Sequence, residues 1–336
     1  MAGEAGANEL RDLARRVAPA LDAEDEFRTL NDIIGAILGS QAGPLIAPAA
    51  VARGMGEPYD PDRLERFQIL HAALVSWVET PRPAPFVSAT AFQNAAFVDA
   101  YFSNYIEGTE FGVGEAMEIV FEGRIPERRP ADAHDVLGTY RIASSRDEMA
   151  TSAADPRHDF ADFLQILRRR HEVIMSARPD KKPGEFKTLA NFAGNTALVN
   201  PNLVVGTLRR GFEVFRSFQG PFARAAFMMF LVSEVHPFLD GNGRIARIMT
   251  NAELIAGGGH RIIIPTVYRE DYVLALRALT RQGRTGGFLR MLDHAQEFVS
   301  RIDFQDLHHA LAVLRTANAF AEPSEARLVL PPREEA

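Results

Sequence analysis

Apolar residues recur at every third or fourth position through most of this 336-residue chain. Leu10, Leu13, Val17 and Leu21 show this spacing first, and it is the spacing of one face of an α-helix. Proline clusters separate the helical stretches, among them PRPAP at 81–85 and PDKKP at 179–183. The sequence shows neither an alternating series of strands nor an internal repeat. The pattern therefore predicts an irregular, mainly α domain.

Helical texture extends over most of the chain. Besides residues 8–40, the predicted helices cover 62–79, 90–106, 134–151, 160–176, 203–217, 222–235, 243–256, 270–280 and 285–304. Strand-like composition is limited to 262–264 and to 188–205, where asparagines and glycines predict a short hairpin or loop. The tail from Ala321 is expected to complete a helix and then to be poorly ordered.

Composition excludes several classes of partner and chemistry. With 37 Lys and Arg against 44 Asp and Glu, the net charge is −7, so the chain has no general attraction for nucleic acid or anionic lipid. It has no cysteine, which removes disulfides, thiolate metal sites and a cysteine nucleophile. The N-terminus lacks the pattern of a secretory signal, and the most apolar segment, 222–235, is too short to cross a membrane. We expect a cytoplasmic protein that binds neither nucleic acid nor membranes.

One segment differs from this background, VHPFLDGNGRIAR at 235–247, which lies between two apolar helical runs. Pro237 cannot continue a helix well and forces the residue before it out of the α region, so His236 is expected at a helix end. Asp240 is a hard oxygen ligand of the kind that Mg²⁺ accepts beside water and phosphate. The segment therefore combines a candidate base with a candidate metal ligand.

The second half of the segment has the composition of an anion site. Gly241 and Gly243 leave the backbone uncovered, so N–H groups of the turn and of the next helix can point at phosphate oxygens. Asn242 adds a neutral amide donor. Arg244 and Arg247 share one face near the start of that helix, where positive charge is unfavourable unless an anion compensates it. Two arginines at this place predict a bound anion.

Each fragment alone also has an ordinary structural explanation. His-Pro commonly ends a helix, and Asp-Gly-Asn-Gly commonly forms a surface turn. The glycines with Ala246 also fit the dinucleotide pattern G-x-G-x-x-A, but that pattern needs a preceding strand and this run is helical. The complete string is far more specific. It resembles the Fic family motif H-x-F-x-[DE]-G-N-G-R-x-x-R, whose fixed positions are all matched, by His236, Phe238, Asp240, Gly241, Asn242, Gly243, Arg244 and Arg247.

The resemblance covers roughly residues 95–300 and implies a helical Fic bundle with a short β-hairpin flap beside the active-site loop. Residues 167–187 resemble the helix and Pro-Gly turn before the flap, and 191–195 resemble its start. The family transfers AMP from ATP to a hydroxyl side chain of a target protein. By this resemblance His236 is the general base toward a Ser, Thr or Tyr hydroxyl, Asp240 holds Mg²⁺, and Phe238 anchors the loop in the core.

The remaining matches imply contacts with ATP. The turn from Gly241 to Gly243, with Asn242, would form the anion hole for the α-phosphate. Arg244 would contact the β-phosphate and Arg247 the γ-phosphate. The implied partners are therefore ATP and a target protein, which could be the chain itself.

Residues 103–108, Ser-Asn-Tyr-Ile-Glu-Gly, resemble the family's inhibitory pattern [ST]-x-x-x-E-[GN] through Ser103, Glu107 and Gly108. Their position resembles the subclass in which the inhibitory helix precedes the Fic core. Glu107 would then pair with Arg247 and take the place of the γ-phosphate. The implied organisation is an N-terminal helical region over 1–130 with the inhibitory motif, a Fic core over 131–300, and a C-terminal helix with a flexible tail over 301–336.

Two positions depart from the family pattern. Tyr272, the residue expected on the adenine side, is followed by Val273 where the family often has a second tyrosine, so nucleotide preference is less defined than the transfer chemistry. Lys187 replaces the common arginine at the Pro-Gly turn, which keeps the charge but loses bidentate geometry. The remaining histidines are assigned to packing or the surface, among them His134, His158, His171, His308 and His309.

The residues leave other functions open. The same site could remove AMP from a modified protein, with Glu107 positioning a water, or could transfer another phosphate-linked group such as UMP or phosphocholine. The intact G-N-G string favours AMP transfer. A catalytically silent module that only senses ATP is a third alternative, and the complete motif argues against it.

Overall fold

The computed structural model describes residues 4–38, 48–84, 87–194 and 196–332. Within these ranges the chain is mainly α-helical, as predicted, with one short antiparallel hairpin of β1 (Phe192–Ala193) and β2 (Thr196–Ala197). The helices are α1 (Glu4–Val17), α2 (Glu24–Ile37), α3 (Pro48–Gly54), α4 (Pro61–Val75), α5 (Ala89–Ile106), α6 (Val113–Glu122), α7 (Pro130–Ser144), α8 (Arg146–Ala150), α9 (Phe160–Ile174), α10 (Val204–Phe215), α11 (Pro221–Val235), α12 (Asn242–Ala256), α13 (Arg269–Gln282), α14 (Thr285–Ser300) and α15 (Leu307–Thr316). None of the helices described is long and apolar enough to span a membrane.

Most predicted helices are present with small shifts at their ends, but the single helix predicted over 134–151 is wrong. The chain leaves the helical region at Ser145 (φ −83, ψ 116), which separates α7 from α8. The Ser145 hydroxyl accepts a hydrogen bond from the backbone N–H of Glu148, as the N-cap of a new helix does. The short helices α3 and α6 were not predicted, because their apolar periodicity is brief.

The hairpin predicted within 188–205 is confirmed, and its turn residue Asn195 lies outside the described residues. The strand-like residues 262–264 form no strand. They are buried and extended, and the backbone N–H of Ile262 donates to the side-chain oxygen of Asn251 at 2.8 Å. The side chain of Asn251 in α12 thus pairs with a backbone group that a neighbouring strand would otherwise satisfy.

The C-terminal helix is present as α15, but the expected helix end at Ala321 is wrong. α15 ends at Thr316, and Asn318 has a left-handed backbone (φ 62) that turns the chain. The following segment is held by contacts. Val329 donates its N–H to the carbonyl of Ala317 at 3.1 Å, and Arg301 donates to the carbonyl of Pro331 at 3.0 Å. Hydrogen bonds therefore hold the described part of the tail at Val329 and Pro331, where the sequence analysis expected poor order.

The core is built around α11 and α12, the helices on either side of the motif. α11 is apolar on all sides because α4, α10 and α12 pack around it. Its Phe227, Met228 and Leu231 have no exposed surface. A second apolar cluster joins α5, α6, α14 and α15. Both ends of the motif loop are therefore anchored in tightly packed helices.

Helix α5 ends beside the motif, and buried polar contacts fix its position. Asp99 lies 3.2 Å from Arg261 and accepts a hydrogen bond from Asn251 of α12 at 2.9 Å. Asn104 donates to the hydroxyl of Thr139 in α7 at 3.1 Å. Such contacts are directional, so they set the rotation of α5 about its own axis. The last turn of α5 is thereby placed beside the start of α12.

Candidate active site

His236 is the C-cap of α11 and has a left-handed backbone (φ 51, ψ 60), outside the α region as Pro237 requires. Its ring Nδ1 lies 3.3 Å from the carbonyl oxygen of Ser233. Because a carbonyl only accepts, this contact assigns the ring proton to Nδ1 and leaves Nε2 as a free acceptor. Burial, reinforced by the charge of Lys187, lowers the pKa of His236 to about 4, so the ring is neutral at pH 7.

Asn242 closes the motif loop through its side chain. Its Oδ1 accepts from the N–H of Phe238, and its Nδ2 donates to the carbonyl of the same residue, both at 2.9 Å. These two bonds engage the side-chain amide of Asn242 with the loop, and its role toward an anion stays a prediction. Its backbone N–H, at the first residue of α12, is one of the helix's unpaired donors.

His171 of α9, which the sequence assigned to packing or the surface, braces this loop. Its ring stacks on Phe238, with centroids 3.6 Å apart and an interplanar angle of 3°. Its Nδ1 accepts the N–H of Gly184 at 3.0 Å, so Nε2 carries the proton and donates to the carbonyl of Asp240, also at 3.0 Å. Burial lowers its pKa to about 4. No signal in the sequence linked His171 to the motif, because the two are adjacent only in space.

Gly241 needs to be glycine for two reasons. Its φ of +74° lies in the left-handed region, and an added Cβ would lie 2.7 Å from the sulfur of Met175. The absence of a side chain therefore lets the loop lie directly on α9 and its last turn.

The carboxylate of Glu107 lies at the N-terminus of α12. It accepts a hydrogen bond from Nη2 of Arg247 at 2.7 Å, and a Cβ on Gly243 would lie only 2.1 Å from its Oε1. Ser103, one turn earlier on α5, accepts from Arg247 through its hydroxyl at 2.9 Å and its carbonyl at 2.8 Å. The positive end of α12 and its arginine thus hold a carboxylate of the chain itself, which identifies the place as an anion site.

Arg244 has a different partner. Its Nη1 lies 2.6 Å from Oδ2 of Asp135 in α7, and Nε of Arg178 donates to the same oxygen at 2.7 Å. The Arg244 and Asp135 side chains are 4% and 1% exposed, so this is a buried ion pair. The sequence analysis missed Asp135 and Arg178, because neither belongs to the motif.

Asp240 is the exposed carboxylate of the loop. Its side chain is 43% exposed, and its Oδ1 accepts the N–H of Gly241 at 2.6 Å. Among the described residues, no three His, Asp or Glu side chains lie close enough together to enclose a metal ion. A single exposed carboxylate nevertheless fits Mg²⁺, which keeps several waters and binds through one or two carboxylates and substrate phosphates.

A cavity of about 290 Å³ lies between His236, Glu107 and the start of α12. Its described lining comes from the end of α5, the hairpin, α11, α12 and α13, and includes Glu107, Thr196, His236, Arg247 and Tyr272. The ring centroid of Tyr272 lies 5.9 Å from the guanidinium of Arg247, and burial raises the pKa of its hydroxyl. Arg244 is not among the described residues that line the cavity. The base, the first turn of α12 and the predicted adenine-side tyrosine therefore share one space.

The base of the hairpin is fixed to the motif loop. Lys187 donates its N–H to the carbonyl of Pro237 at 2.8 Å and its Nζ to Asn191 at 2.6 Å. Asn191 in turn donates to the carbonyl of Phe238 at 2.9 Å. Burial, together with the charge of Arg63, lowers the pKa of Lys187 to about 8. The hairpin therefore begins next to His236, and Phe192 on β1 stays 65% exposed.

Comparison with known proteins gives the class of this domain. Residues 161–254 match the model of the Fic/DOC family, a segment that includes the whole motif loop. This segment is therefore similar to the Fic/DOC domain. The chain is 26% identical over 211 residues to a protein adenylyltransferase, fic-1, of Caenorhabditis elegans, and 24% identical over 217 residues to protein adenylyltransferase Fic of Drosophila grimshawi. These matches cover 61% and 62% of this chain but only 41% and 42% of the relatives.

Solved structures show the same fold. The match to residues 134–508 of Fic-1 from C. elegans has a TM-score of 0.51 at 19% identity and covers 90% of this chain and 86% of that one. A Fic domain containing signaling protein from Bacteroides thetaiotaomicron matches with a TM-score of 0.52 at 15% identity and covers 74% of this chain and 97% of the other. The Fic fold predicted from the motif is thereby confirmed.

Proposed function

We propose that the protein is an autoinhibited adenylyltransferase that transfers AMP from ATP to a Ser, Thr or Tyr hydroxyl of a target protein. The observation that carries the proposal is the shared cavity, in which the acceptor nitrogen of a neutral histidine lies near a helix N-terminus and an arginine. The curated relatives are named protein adenylyltransferases, which supports this reaction class.

In the proposed reaction His236 is the general base. Its Nε2 takes the proton of the incoming hydroxyl as that oxygen forms a bond to the α-phosphorus. The bond from the α-phosphorus to the bridging oxygen breaks, and pyrophosphate leaves with the electron pair. A positioned base of this kind contributes on the order of 10² to 10⁴-fold. The low pKa keeps the ring unprotonated before the transfer.

The phosphates would lie at the start of α12. Backbone N–H groups at Asn242 and Gly243 and the helix dipole favour the α-phosphate there, while the N–H of Gly241 is donated to Asp240. Arg247 would contact the γ-phosphate. Arg244, which is held by its buried pair with Asp135, would contact the β-phosphate. Asp240 would hold Mg²⁺, which, when bound, neutralises charge on the phosphates. Tyr272 would lie on the adenine side.

Glu107 accounts for the proposed inhibition. Its carboxylate already occupies the space over Gly243 and holds Arg247, so it competes with the phosphates of ATP for both. Ser103 supports the same arginine. We accordingly assign the chain to the subclass with the inhibitory helix before the core, with the regions 1–130, 131–300 and 301–336 as its division. We also propose a cytoplasmic location.

The test is labelling with α-labelled ATP in a lysate. Glu107→Gly is expected to label the protein or a partner strongly, and Glu107→Gly with His236→Ala is expected to lose that label. Ser300→Ala removes a hydroxyl that donates only to the carbonyl of Glu297 within α14, and it serves as the control for the effect of a substitution away from the motif. Label that persists without His236 would overturn the mechanism, and no label from any variant would overturn the activity.

A second function is favoured by the lining of the cavity. Glu107 and His236 both face the same space, so Glu107 could position a water that attacks an AMP-modified side chain. Incubation of a labelled acceptor with the wild-type chain distinguishes the two. Release of AMP that needs Glu107 supports removal, and stable label supports transfer alone.

A further inference from the structure

The hairpin beside His236 is too small to hold its own position. Its strands pair only Phe192 with Ala197 and Ala193 with Thr196. A two-stranded hairpin of this size is at best marginally stable in water. Its position over the cavity must therefore come from contacts with other elements.

Arg63 of α4 supplies such a contact. Its Nη2 donates to the carbonyl oxygen of Ala197 in β2 at 2.6 Å. Its Nη1 lies 2.8 Å from Oε1 of Glu234, two residues before His236 in α11. One planar guanidinium thus joins the far strand of the hairpin to the helix that presents the base.

The anchor behind Arg63 is rigid. The Glu234 side chain is 3% exposed, and its Oε2 accepts the hydroxyl of Thr280 at 2.5 Å. Arg66, on the same helix as Arg63, donates to the carbonyl of Thr280 at 3.0 Å. α4, α11 and α13 therefore meet at this point, and the Arg63 side chain, 14% exposed, is held between them.

A second arginine reaches the hairpin in a different way. Arg281 of α13 donates to the hydroxyl of Thr196 at 2.7 and 3.1 Å, in an exposed position. Its contact is to a side chain that can rotate, whereas the contact of Arg63 is to the backbone of the strand. Arg63 is therefore the stronger constraint on where β2 lies.

We propose that Arg63 is a positioning residue that fixes the hairpin relative to His236. The exposed strand with Phe192 lies beside the base and is the surface that a protein substrate would meet, so Arg63 sets how well the site binds that substrate. ATP is affected less, because its proposed phosphate contacts lie on α12. This inference rests on the proposed function. α4 lies outside the segment that matches the Fic/DOC model, so the N-terminal region of this chain would complete a site formed mainly by the Fic domain.

The chemistry suggests informative variants. Arg63→Met keeps an unbranched apolar stem and removes both contacts. Arg63→Lys keeps the charge, but a single ammonium cannot reproduce the two divergent bonds of the guanidinium. Glu234→Gln removes the ion pair and leaves the bond from Arg63 to Ala197 available. Arg210→Met, which loses a surface pair with Glu213 on α10, is the matched control.

The experiment uses the full chain with Glu107→Gly as the parent. It measures hydrogen exchange of the amides at 191–199, the dissociation constant for ATP, and the labelling rate of lysate proteins. Arg63→Met is expected to raise hairpin exchange and to lower labelling by about ten- to a hundredfold, as loss of a charge-assisted hydrogen bond implies, with ATP affinity within about twofold. Arg63→Lys should recover little, and Glu234→Gln should have the smaller effect on exchange.

Unchanged hairpin exchange in Arg63→Met would overturn the inference, as would an equal loss of ATP affinity and labelling. Exchange across α10 and α11 reports whether the variant is folded. If the parent labels nothing, the proposed function fails, while the exchange data still decide whether Arg63 holds the hairpin.

Discussion

Arg244 and Arg247 lie about one turn apart on α12, and each meets a carboxylate at nearly the same distance, 2.6 Å to Asp135 and 2.7 Å to Glu107. The two acids differ in how they are held. Asp135 lies within α7, is 1% exposed and is shared with Arg178. Glu107 is the C-cap of α5, is 30% exposed and precedes Gly108, whose φ is +86°. Similar distances therefore accompany different settings. Asp135 is a buried, shared counterion, whereas Glu107 is a partly exposed acid at a helix end, which we propose that ATP displaces.

The largest expected effect is on stability at the fixed pair. Asp135→Asn removes the close charge partner of the buried Arg244 and leaves only the exposed Asp240 at 3.7 Å, which should cost about 3–5 kcal/mol of the free energy of unfolding. Urea denaturation measures it. Asp132→Asn, which removes a more exposed partner of Arg178, should cost clearly less. Equal losses of unfolding free energy in the two variants would show that the burial of Asp135 adds nothing to its ion pairs.

Gly243→Ala probes the close approach of Glu107. In the wild-type chain the new Cβ meets Oε1 of Glu107 at 2.1 Å, so we expect a loss of about 1–3 kcal/mol through overpacking. With Glu107→Gly the clash disappears and the loss should shrink. A double-mutant cycle of unfolding free energies measures this coupling. Additive losses would place Glu107 away from the start of α12 in solution.

The pair of Glu107 with Arg247 should control ATP affinity. Glu107→Gln removes the charge that competes with the terminal phosphate, so we expect tighter ATP binding by roughly tenfold, about 1.4 kcal/mol. Calorimetric titration with ATP measures it, with the exposed Glu110→Gln as the control. Asp135→Asn should not increase affinity. If it does so as strongly as Glu107→Gln, the distinction between the two acids is wrong.

The pH dependence of labelling in the Glu107→Gly variant reports on the base without the carboxylate of Glu107, and arginines do not titrate in this range. His236 has its pKa lowered to about 4, so it stays unprotonated as the pH falls through 6.5 and loses its function as a base only near pH 4. In the Glu107→Gly variant the acid limb of the labelling rate should therefore lie well below pH 6. An acid limb centred near pH 6.5 would mean that the ring is solvated in the working enzyme.

Local chemistry made much of this site predictable. Pro237 predicts a helix end at His236, and the Gly-Asn-Gly-Arg run predicts the start of an anion-binding helix. The match to a complete motif also predicted the pairing of Glu107 with Arg247, which is present at 2.7 Å. These features depend on residues close in sequence, or on a family pattern that already connects distant segments.

The failures have a common cause. Ser145 interrupts a helix through an N-cap that competes with the helical period, and the tail after α15 is ordered by contacts with Ala317 and Arg301. Asn242 appeared to be a free donor until its bonds to Phe238 were known. Each outcome depends on which group takes a hydrogen bond, and sequence spacing does not give that choice.

The sequence alone determined the class of fold, most of the helices and the residues of the motif, because helical period, proline and glycine act locally. Tertiary structure decided which partner each of those residues has. It placed His171 under the loop, gave Arg244 to Asp135 and Arg247 to Glu107, and brought Arg63 to the hairpin across 134 positions of sequence. Charge pairing and burial depend on distance in space, so they appear only when the chain has folded.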